Sequence, residues 1–329
     1  MINYAVIGTS NITTQFISAA EKTGRFNLQA VYSRTTEKGN EFASRYNCKT
    51  VYTTLEDLVA DTSVTAVYVA SPNALHFNQC KFLLQNGKHV ICEKPITQTP
   101  QEFLELKEIA DRNNLIIMDA IISQYSFARN NIKSAISKIG NIKLARIDFS
   151  KLSAKYFSFL NGEDVNIFNM SLGAGALTDI GVYCVYAAVD LLGIPKDITA
   201  FASFLQNGAD GNGIAVFRYD NFDAALTYGK TAETIIGSEI LGDNGAVKIG
   251  KISLYSDASL VQGDSVTPLS FDMTKIEIMK GEADAFADYI ENFAQNKQKY
   301  EDATKVTYDV LVSMEKIKKS AGIFYPKHI

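Results

Sequence analysis

In the first third of the chain, short continuous apolar runs alternate with segments whose apolar residues recur at helical spacing. Residues 2–7, 28–32, 66–70, 89–92 and 115–119 are runs of the first kind, with a shorter one at 50–52. They read as strands. Between them Ile12, Phe16, Ile17 and Ala20 mark one face of a helix, and further helices are predicted over 37–46, 55–60 and 99–113, and from Asn73 to the stop at Asn86-Gly87. Strand, crossover helix and next strand make a parallel βαβ unit, and such sheets bind ligands beyond the carboxyl ends of their strands. The stretch 65–95 shows the logic. Its first strand enters a turn at Ser71-Pro72-Asn73, where Asn73 is placed to cap the next helix, and its second strand ends at Glu93-Lys94-Pro95. Glu93 and Lys94 then arrive where a ligand would sit, although a surface pair closing a turn fits these residues equally well.

The pattern changes near residue 121, which predicts a first domain over 1–121 and a second over 122–329. After a helix at 132–139, strands are predicted at 145–153, 198–205, 214–219, 224–230, 238–241 and 246–255, with turns at Asp220-Asn221 and at 242–245. Consecutive strands of this kind imply a mostly antiparallel sheet. Ile147, Phe149, Val216, Phe217, Leu226 and Tyr228 give it apolar side chains on both faces, and the available helices cover one, which predicts self-association through the other. Two helices close the chain, at 278–296 and 303–320. One more helix, 176–192, follows Gly173-Ala174-Gly175 and is apolar almost all round, hence buried. Within it Asp179 and Tyr183 are four residues apart and share a face. Unpaired polar groups are costly inside a protein, so the two either satisfy each other and the backbone or point into a cleft.

Composition narrows the class. A chain of 329 residues accommodates two domains, and 47% hydrophobic content fills two cores. No run is expected to be both long and apolar enough to span a bilayer. The net charge of -4 and the scattered lysines and arginines leave no footprint for nucleic acid. Cys48, Cys80, Cys92 and Cys184 are dispersed, which suits reduced thiols in a cytoplasmic protein better than disulfides or zinc. The chain opens on a strand, with no basic region ahead of a signal core. His76, His89 and His328 are too few and too scattered for a metal site, and His76, early in its helix, reads as a cap or core residue.

Two stretches carry candidate chemistry for a dinucleotide. Gly8-Thr9-Ser10-Asn11-Ile12-Thr13 lies between strand and helix, where a tight turn aims free helix amides at a pyrophosphate. Only the first glycine is present; Ser10 and Thr13 stand where Gly and Gly or Ala are usual. The second strand ends in Ser33-Arg34-Thr35, with no carboxylate to bind the ribose of NAD. Arg34 can pair with a 2′-phosphate, and Ser33 and Thr35 can donate to it, which favours NADP(H) and leaves NAD(H) possible; an ordinary polar loop is the other reading.

Three motifs then connect the chain to a family: Ser71-Pro72-Asn73-Ala74-Leu75-His76 with Gly87-Lys88-His89-Val90-Ile91-Cys92-Glu93-Lys94-Pro95; Gly173-Ala174-Gly175-Ala176-Leu177-Thr178-Asp179-Ile180-Gly181-Val182-Tyr183; and Ser238-Glu239-Ile240 with Gly242 and Gly245. Over nearly its whole length the chain resembles the glucose–fructose oxidoreductase, inositol dehydrogenase and MocA family of NAD(P)-dependent oxidoreductases. The resemblance implies an α/β protein: an N-terminal Rossmann doubly wound parallel sheet, then a C-terminal α/β domain with a large, mostly antiparallel open sheet that joins subunits into a homodimer or homotetramer. It also implies roles. Lys94 matches the lysine near the nicotinamide and the reacting hydroxyl, Glu93 supports its loop, Asn73 touches the cofactor, and Asp179 matches the substrate-orienting carboxylate. Tyr183 stands where many members have His, and the Asp-and-Tyr version resembles the dihydrodiol dehydrogenase branch. Asp119-Ala120 leads to Gln124, Tyr125 and Ser126 where many relatives have Glu-Ala and then Arg or His with Pro, so no relative's substrate is copied over.

The resulting expectation is an oxidoreductase that moves a hydride between NADP(H) and a hydroxyl or carbonyl carbon of a sugar, polyol or diol, with no metal, nucleic acid or membrane involved. The cofactor is expected at Gly8, Thr9, Ser10, Asn11 and Ile12, at Ser33 and Arg34, at Ser71, Pro72, Asn73 and His76, and at Glu93 and Lys94. Lys94, Asp179 and Tyr183 are expected to act together in a cleft beside the nicotinamide. The alternative is a non-catalytic dinucleotide-binding sensor on the same fold. Lys94, Asp179 and Tyr183 speak against it, since a sensor needs only the dinucleotide site.

Overall fold

The computed structural model describes residues 1–326, so His328 lies outside the described residues. The elements are, in order, β1 (Ile2–Ile7), α1 (Asn11–Thr23), β2 (Phe26–Tyr32), α2 (Thr36–Ser44), β3 (Thr50–Tyr52), α3 (Leu55–Ala60), β4 (Ala66–Val69), α4 (Asn73–Gln85), β5 (His89–Glu93), α5 (Pro100–Arg112) and β6 (Ile117–Ala120). There follow α6 (Ala128–Ile136), β7 (Ile142–Ser150), α7 (Tyr156–Leu160), a π-helical turn at Leu177–Gly181 that runs into α8 (Val182–Leu192), then β8 (Asp197–Phe204), β9 (Asp210–Arg218) and β10 (Asp223–Gly229). The last are β11 (Ser238–Gly242), β12 (Gly245–Lys251), β13 (Ser256–Gln262), β14 (Ser265–Pro268), α9 (Lys275–Glu291) and α10 (Phe293–Ala321). The chain divides into two compact units, Met1–Ile121 with Lys275–Thr304, and Ile122–Thr274 with the chain from Lys305 onward. The expected second domain took in all of 122–329; residues 275–304 instead cluster with the first.

The first unit holds a six-stranded parallel sheet in the order β3-β2-β1-β4-β5-β6. This is the doubly wound order of a Rossmann fold, as expected, with its reversal between β1 and β4. Strands buried on both faces need apolar residues at every position, which is why Ala66, Val67, Tyr68 and Val69 form a run without alternation. Gly8 ends β1 with φ of +107°, and a side chain there would meet the Ala70 carbonyl at 2.5 Å, so only glycine lets the two central strand ends lie this close. Helix α9 packs on α1, with Phe286 stacked on Phe26 and Arg25 bonded to Asp288 at 2.7 Å and Glu291 at 2.6 Å.

The second unit holds an eight-stranded sheet in the order β14-β13-β12-β11-β7-β10-β9-β8. It is antiparallel apart from the β7–β10 pair, so the expected mostly antiparallel sheet is observed. Both faces carry apolar side chains, as expected, though unequally. Ile147, Phe217, Leu226 and Tyr228 are all buried on the face covered by α8. Phe149 lies on that same side, edge-on to Tyr183. Of the six residues predicted to span both faces, Val216 belongs to the open one, in register with Ala225 and Thr199. That face also carries Phe201 and Ile214, 70% and 51% exposed.

Two boundaries also moved. The run 246–255 is β12 followed by a tight turn, because Ile252 and Tyr255 are buried below the turn and not along a strand, and Tyr255 and Asp257 both have positive φ. The final helices break at Asn292, not at 297–302; that polar stretch stays helical because Tyr300 is buried and its hydroxyl donates to the Ile117 carbonyl at 3.1 Å. The stretch Met170–Leu192 has the length and mean hydropathy, 1.5, of a membrane span, against expectation. Most of it is buried inside its unit, so it is the core helix of that unit.

Candidate active site

In the first unit the candidate residues gather at the carboxyl ends of β1, β2, β4 and β5. Ser10 takes the N-cap position of α1 without a side-chain cap bond, and Ser10 and Asn11 are exposed. The first-turn amides of α1 are therefore not satisfied by a cap side chain and are open to an anion, the requirement for a pyrophosphate. The degenerate glycine motif thus keeps the geometry that matters: Gly8 for the close turn, and a helix start without a side-chain cap. At the end of β2, Ser33 is buried with its amide bonded to Tyr52, and Arg34 is exposed. These features fit a dinucleotide carrying a 2′-phosphate.

The turns after β4 and β5 are tied together by His76. Its ring is fully buried, with Nδ1 3.0 Å from the Pro95 carbonyl and Nε2 2.8 Å from the Ser71 carbonyl. Burial holds its pKa below the usual histidine range. His76 was expected as a cap or core residue and also among the cofactor-binding residues; enclosed in this way, it lies between the two turns that carry the neighbouring candidates. Asn73 was expected to cap α4 but is its first helical residue, with Pro72 in the cap position, because the fixed φ of proline suits the extended residue before a helix.

Glu93 is buried, so it is not a surface pair with Lys94. Its Oε1 accepts from the Tyr68 hydroxyl at 2.6 Å. Burial raises its pKa; the cations of Lys94 and Lys275 and the Tyr68 bond oppose that rise. The Tyr68 ring stacks on Phe16 of α1 with centroids 3.9 Å apart. The helix that would hold a pyrophosphate and the turn that presents Lys94 are thereby referenced to one side chain. Lys94 itself is half-buried.

In the second unit Asp179 sits in the π-helical turn and Tyr183 in the first turn of α8. A π turn inserts an extra residue into a helix and recurs at functional sites. Asp179 is 31% exposed on its side chain and forms an ion pair with Lys230, whose side chain is buried at the end of β10. Sequence reasoning missed Lys230; its signal was a lone ammonium closing the apolar run 224–229. It also missed Asp210. This buried carboxylate accepts from the Leu177 amide at 2.6 Å and from the Tyr325 hydroxyl at 3.4 Å, capping the helix that carries Asp179. A side chain at Gly175 would meet Asp210 Oδ1 at 1.9 Å, which explains the glycine there.

Residues 2–120 match the model of an oxidoreductase family with an NAD-binding Rossmann fold, and residues 131–248 match the GFO/IDH/MocA C-terminal domain. The chain belongs to the GFO/IDH/MocA oxidoreductase family. It is 34% identical to the scyllo-inositol 2-dehydrogenase (NADP(+)) IolU of Bacillus subtilis, covering 99% of each chain. It is 26% identical to a trans-1,2-dihydrobenzene-1,2-diol dehydrogenase of Xenopus tropicalis over 78% of each. The fold is also that of KijD10, a 3-ketoreductase from Actinomadura kijaniata solved with NADP and TDP-benzene, with a TM-score of 0.80, 21% identity, and 97% and 98% of the two chains covered.

Asp210 generates a pH prediction. Burial pushes its carboxyl up to about 6 from 3.8. A carboxyl raised on folding favours the fold below the unfolded pKa, and that contribution is lost as pH rises through about 6. Asp210→Asn keeps an oxygen for the Leu177 amide and removes the charge. Relative to the parent chain, its unfolding free energy should rise by about 1–3 kcal/mol between pH 4 and pH 7. Chemical denaturation across that range gives the answer; a difference independent of pH would refute the assignment.

Proposed function

We propose that this oxidoreductase interconverts a secondary hydroxyl and a carbonyl on a cyclic polyol or sugar, using NADP(H) in preference to NAD(H). The supporting observation is the first unit's set of strand ends: a helix start without a side-chain cap after Gly8, Arg34 after β2 with no acid beside it, and Lys94 after β5. The match to an inositol dehydrogenase along both chains supports the polyol class.

The bound nicotinamide supplies or accepts the hydride, and the protein handles the proton. The amides of Gly8 to Ile12 would hold the pyrophosphate, and Ser33 and Arg34 would hold the 2′-phosphate. Ser71, Pro72 and Asn73 would line the cofactor. Lys94 takes the proton from the substrate hydroxyl in oxidation and returns it in reduction. A lysine next to an oxidised nicotinamide meets a second positive charge, which favours its neutral, basic form. Asp179 and Tyr183 hold the substrate hydroxyls, and Lys230 pairs with Asp179 and directs it. The test is NADPH formation from scyllo-inositol, myo-inositol, D-xylose and a trans-diol. At least one should react. Lys94→Ala should then lose roughly 10²–10⁴-fold in rate, and Arg34→Ala should weaken NADP(+) while leaving NAD(+) nearly unchanged. Full activity in Lys94→Ala, or equal loss for both cofactors, would contradict the respective role.

We also propose that the open sheet face joins two or more copies of the chain. Phe201, Ile214 and Val216 form an apolar strip on it, and Arg146 and Glu239 supply an ion pair in register beside it. A strip of this kind favours burial against a partner. Light scattering at micromolar concentration should show a dimer or tetramer, and Ile214→Glu should shift it toward monomer. A monomeric parent chain would sink the idea.

A further inference from the structure

Past the end of α10 the chain turns back into the second unit, beside the helix that carries Asp179. Gly322 takes the left-handed conformation, with φ of +71°, and the Ile323 amide donates to the Lys318 carbonyl at 2.9 Å. This is the Schellman stop of a helix, which an apolar contact at the second position beyond the end completes; here that residue is the buried Ile323. In the last turn of α10, the Ser320 hydroxyl oxygen accepts from the Ala200 amide of β8 at 2.8 Å. The chain leaving α10 is therefore held to the sheet and sent in one direction. It delivers Tyr325, whose hydroxyl donates to Asp210 Oδ1 at 3.4 Å while Lys318 Nζ stands 5.9 Å from the centre of its ring.

Asp210 thus has a different donor on each oxygen. Oδ2 accepts from the Leu177 amide at 2.6 Å, at the start of the π-helical turn, and Oδ1 accepts from Tyr325. The last torsion of an aspartate is broad, so a carboxylate held at one oxygen can still swing about that bond. A second donor on the other oxygen fixes its plane. Gly175 makes room for the pair, because a side chain there would meet Asp210 Oδ1 at 1.9 Å and the Tyr325 hydroxyl at 3.2 Å. Two residues beyond Leu177 stands Asp179, inside the same π turn. A π turn departs from the regular helical ladder, so its geometry leans on contacts from outside the helix.

We propose that Tyr325 is a positioning residue for substrate binding: its hydroxyl fixes the plane of Asp210, Asp210 fixes the Leu177 amide, and the π turn so held presents Asp179 to the substrate. This deepens the reading of Asp179 as the carboxylate that holds substrate hydroxyls, and rests on it. Tyr325 acts through Asp210 and not on the substrate itself. Loosening a group that holds the substrate equally before and during the reaction weakens binding without slowing the bound complex, so the effect falls on KM and not on kcat.

Tyr325→Phe tests this, since it deletes the hydroxyl and keeps the ring. The kinetic probe is whichever of scyllo-inositol, myo-inositol, D-xylose and the trans-diol reacts fastest with NADP(+). For that compound the KM of Tyr325→Phe should rise roughly 3–10-fold, with kcat within about twofold of the parent chain. Hydrogen–deuterium exchange gives a second reading with no substrate present. Amides 177–183 should exchange faster in Tyr325→Phe than in the parent, and those of β1 to β6 at the same rate. An unchanged KM in Tyr325→Phe, where Asp179→Asn raises KM, overturns the proposal alone, as does unchanged exchange at 177–183. An unchanged KM in Asp179→Asn overturns the Asp179 reading and the proposal together. A lower melting temperature in Tyr325→Phe with neither of the other changes makes Tyr325 a packing residue only, and overturns the proposal as well.

Discussion

The hydrogen bond from Tyr68 to Glu93 is the constraint on which the first unit's site depends. It lies in the interior, where a carboxylate is tolerated only if donors and cations surround it. Tyr68 comes from β4, Glu93 from β5, and the Tyr68 ring lies flat on Phe16 of α1. His76 adds a second tie, from the turn after β4 to the turn after β5. Between them, the helix start, the Ser71 turn and the Lys94 turn have little freedom to move apart. A parallel sheet delivers strand ends to one edge; these buried polar contacts convert that rough placement into a fixed one.

The second unit reaches the same end by other means. Its polar residues ride on a helix whose first turn is π-helical, and such a turn leaves amides that need an acceptor. Asp210 meets that need from the start of β9, where Gly175 makes room for it. Lys230 then engages Asp179 from the end of β10. A strand start and a strand end, each bearing one charge, thus fix both the helix and the carboxylate on it. The sheet's covered face supplies the packing, with Tyr228 close against Gly181: a side chain there would meet the ring at 2.9 Å.

What could be read from the sequence were the features that depend on neighbours in the chain. Parallel strands buried on both faces show as unbroken apolar runs, so β1, β2, β4 and β5 and the turns that follow them were legible, and with them Gly8, Arg34 and Lys94. The hidden features depend on partners far away in sequence. Asp210 meets Leu177 across 33 residues and Lys230 meets Asp179 across 51, and nothing local names the partner of either. Residues 297–302 look like a polar linker until Tyr300 is seen to anchor them through Ile117. His76 stands in a cofactor motif and also reads as a cap or core residue; only the structure shows which turns its buried ring lies between.

In the proposed mechanism a buried frame, more than Lys94 alone, makes the proton transfer possible. Tyr68→Phe tests it most directly, since it deletes one hydroxyl and retains the ring that stacks on Phe16. Withdrawing a donor from a buried charged acceptor costs about 1.5–3 kcal/mol, or roughly 10–100-fold in rate if the loss falls on the reaction. Measured together, kcat for polyol oxidation should fall by about that factor while the Kd for NADPH stays within a few fold. An unchanged kcat in a well-folded Tyr68→Phe protein would contradict the claim.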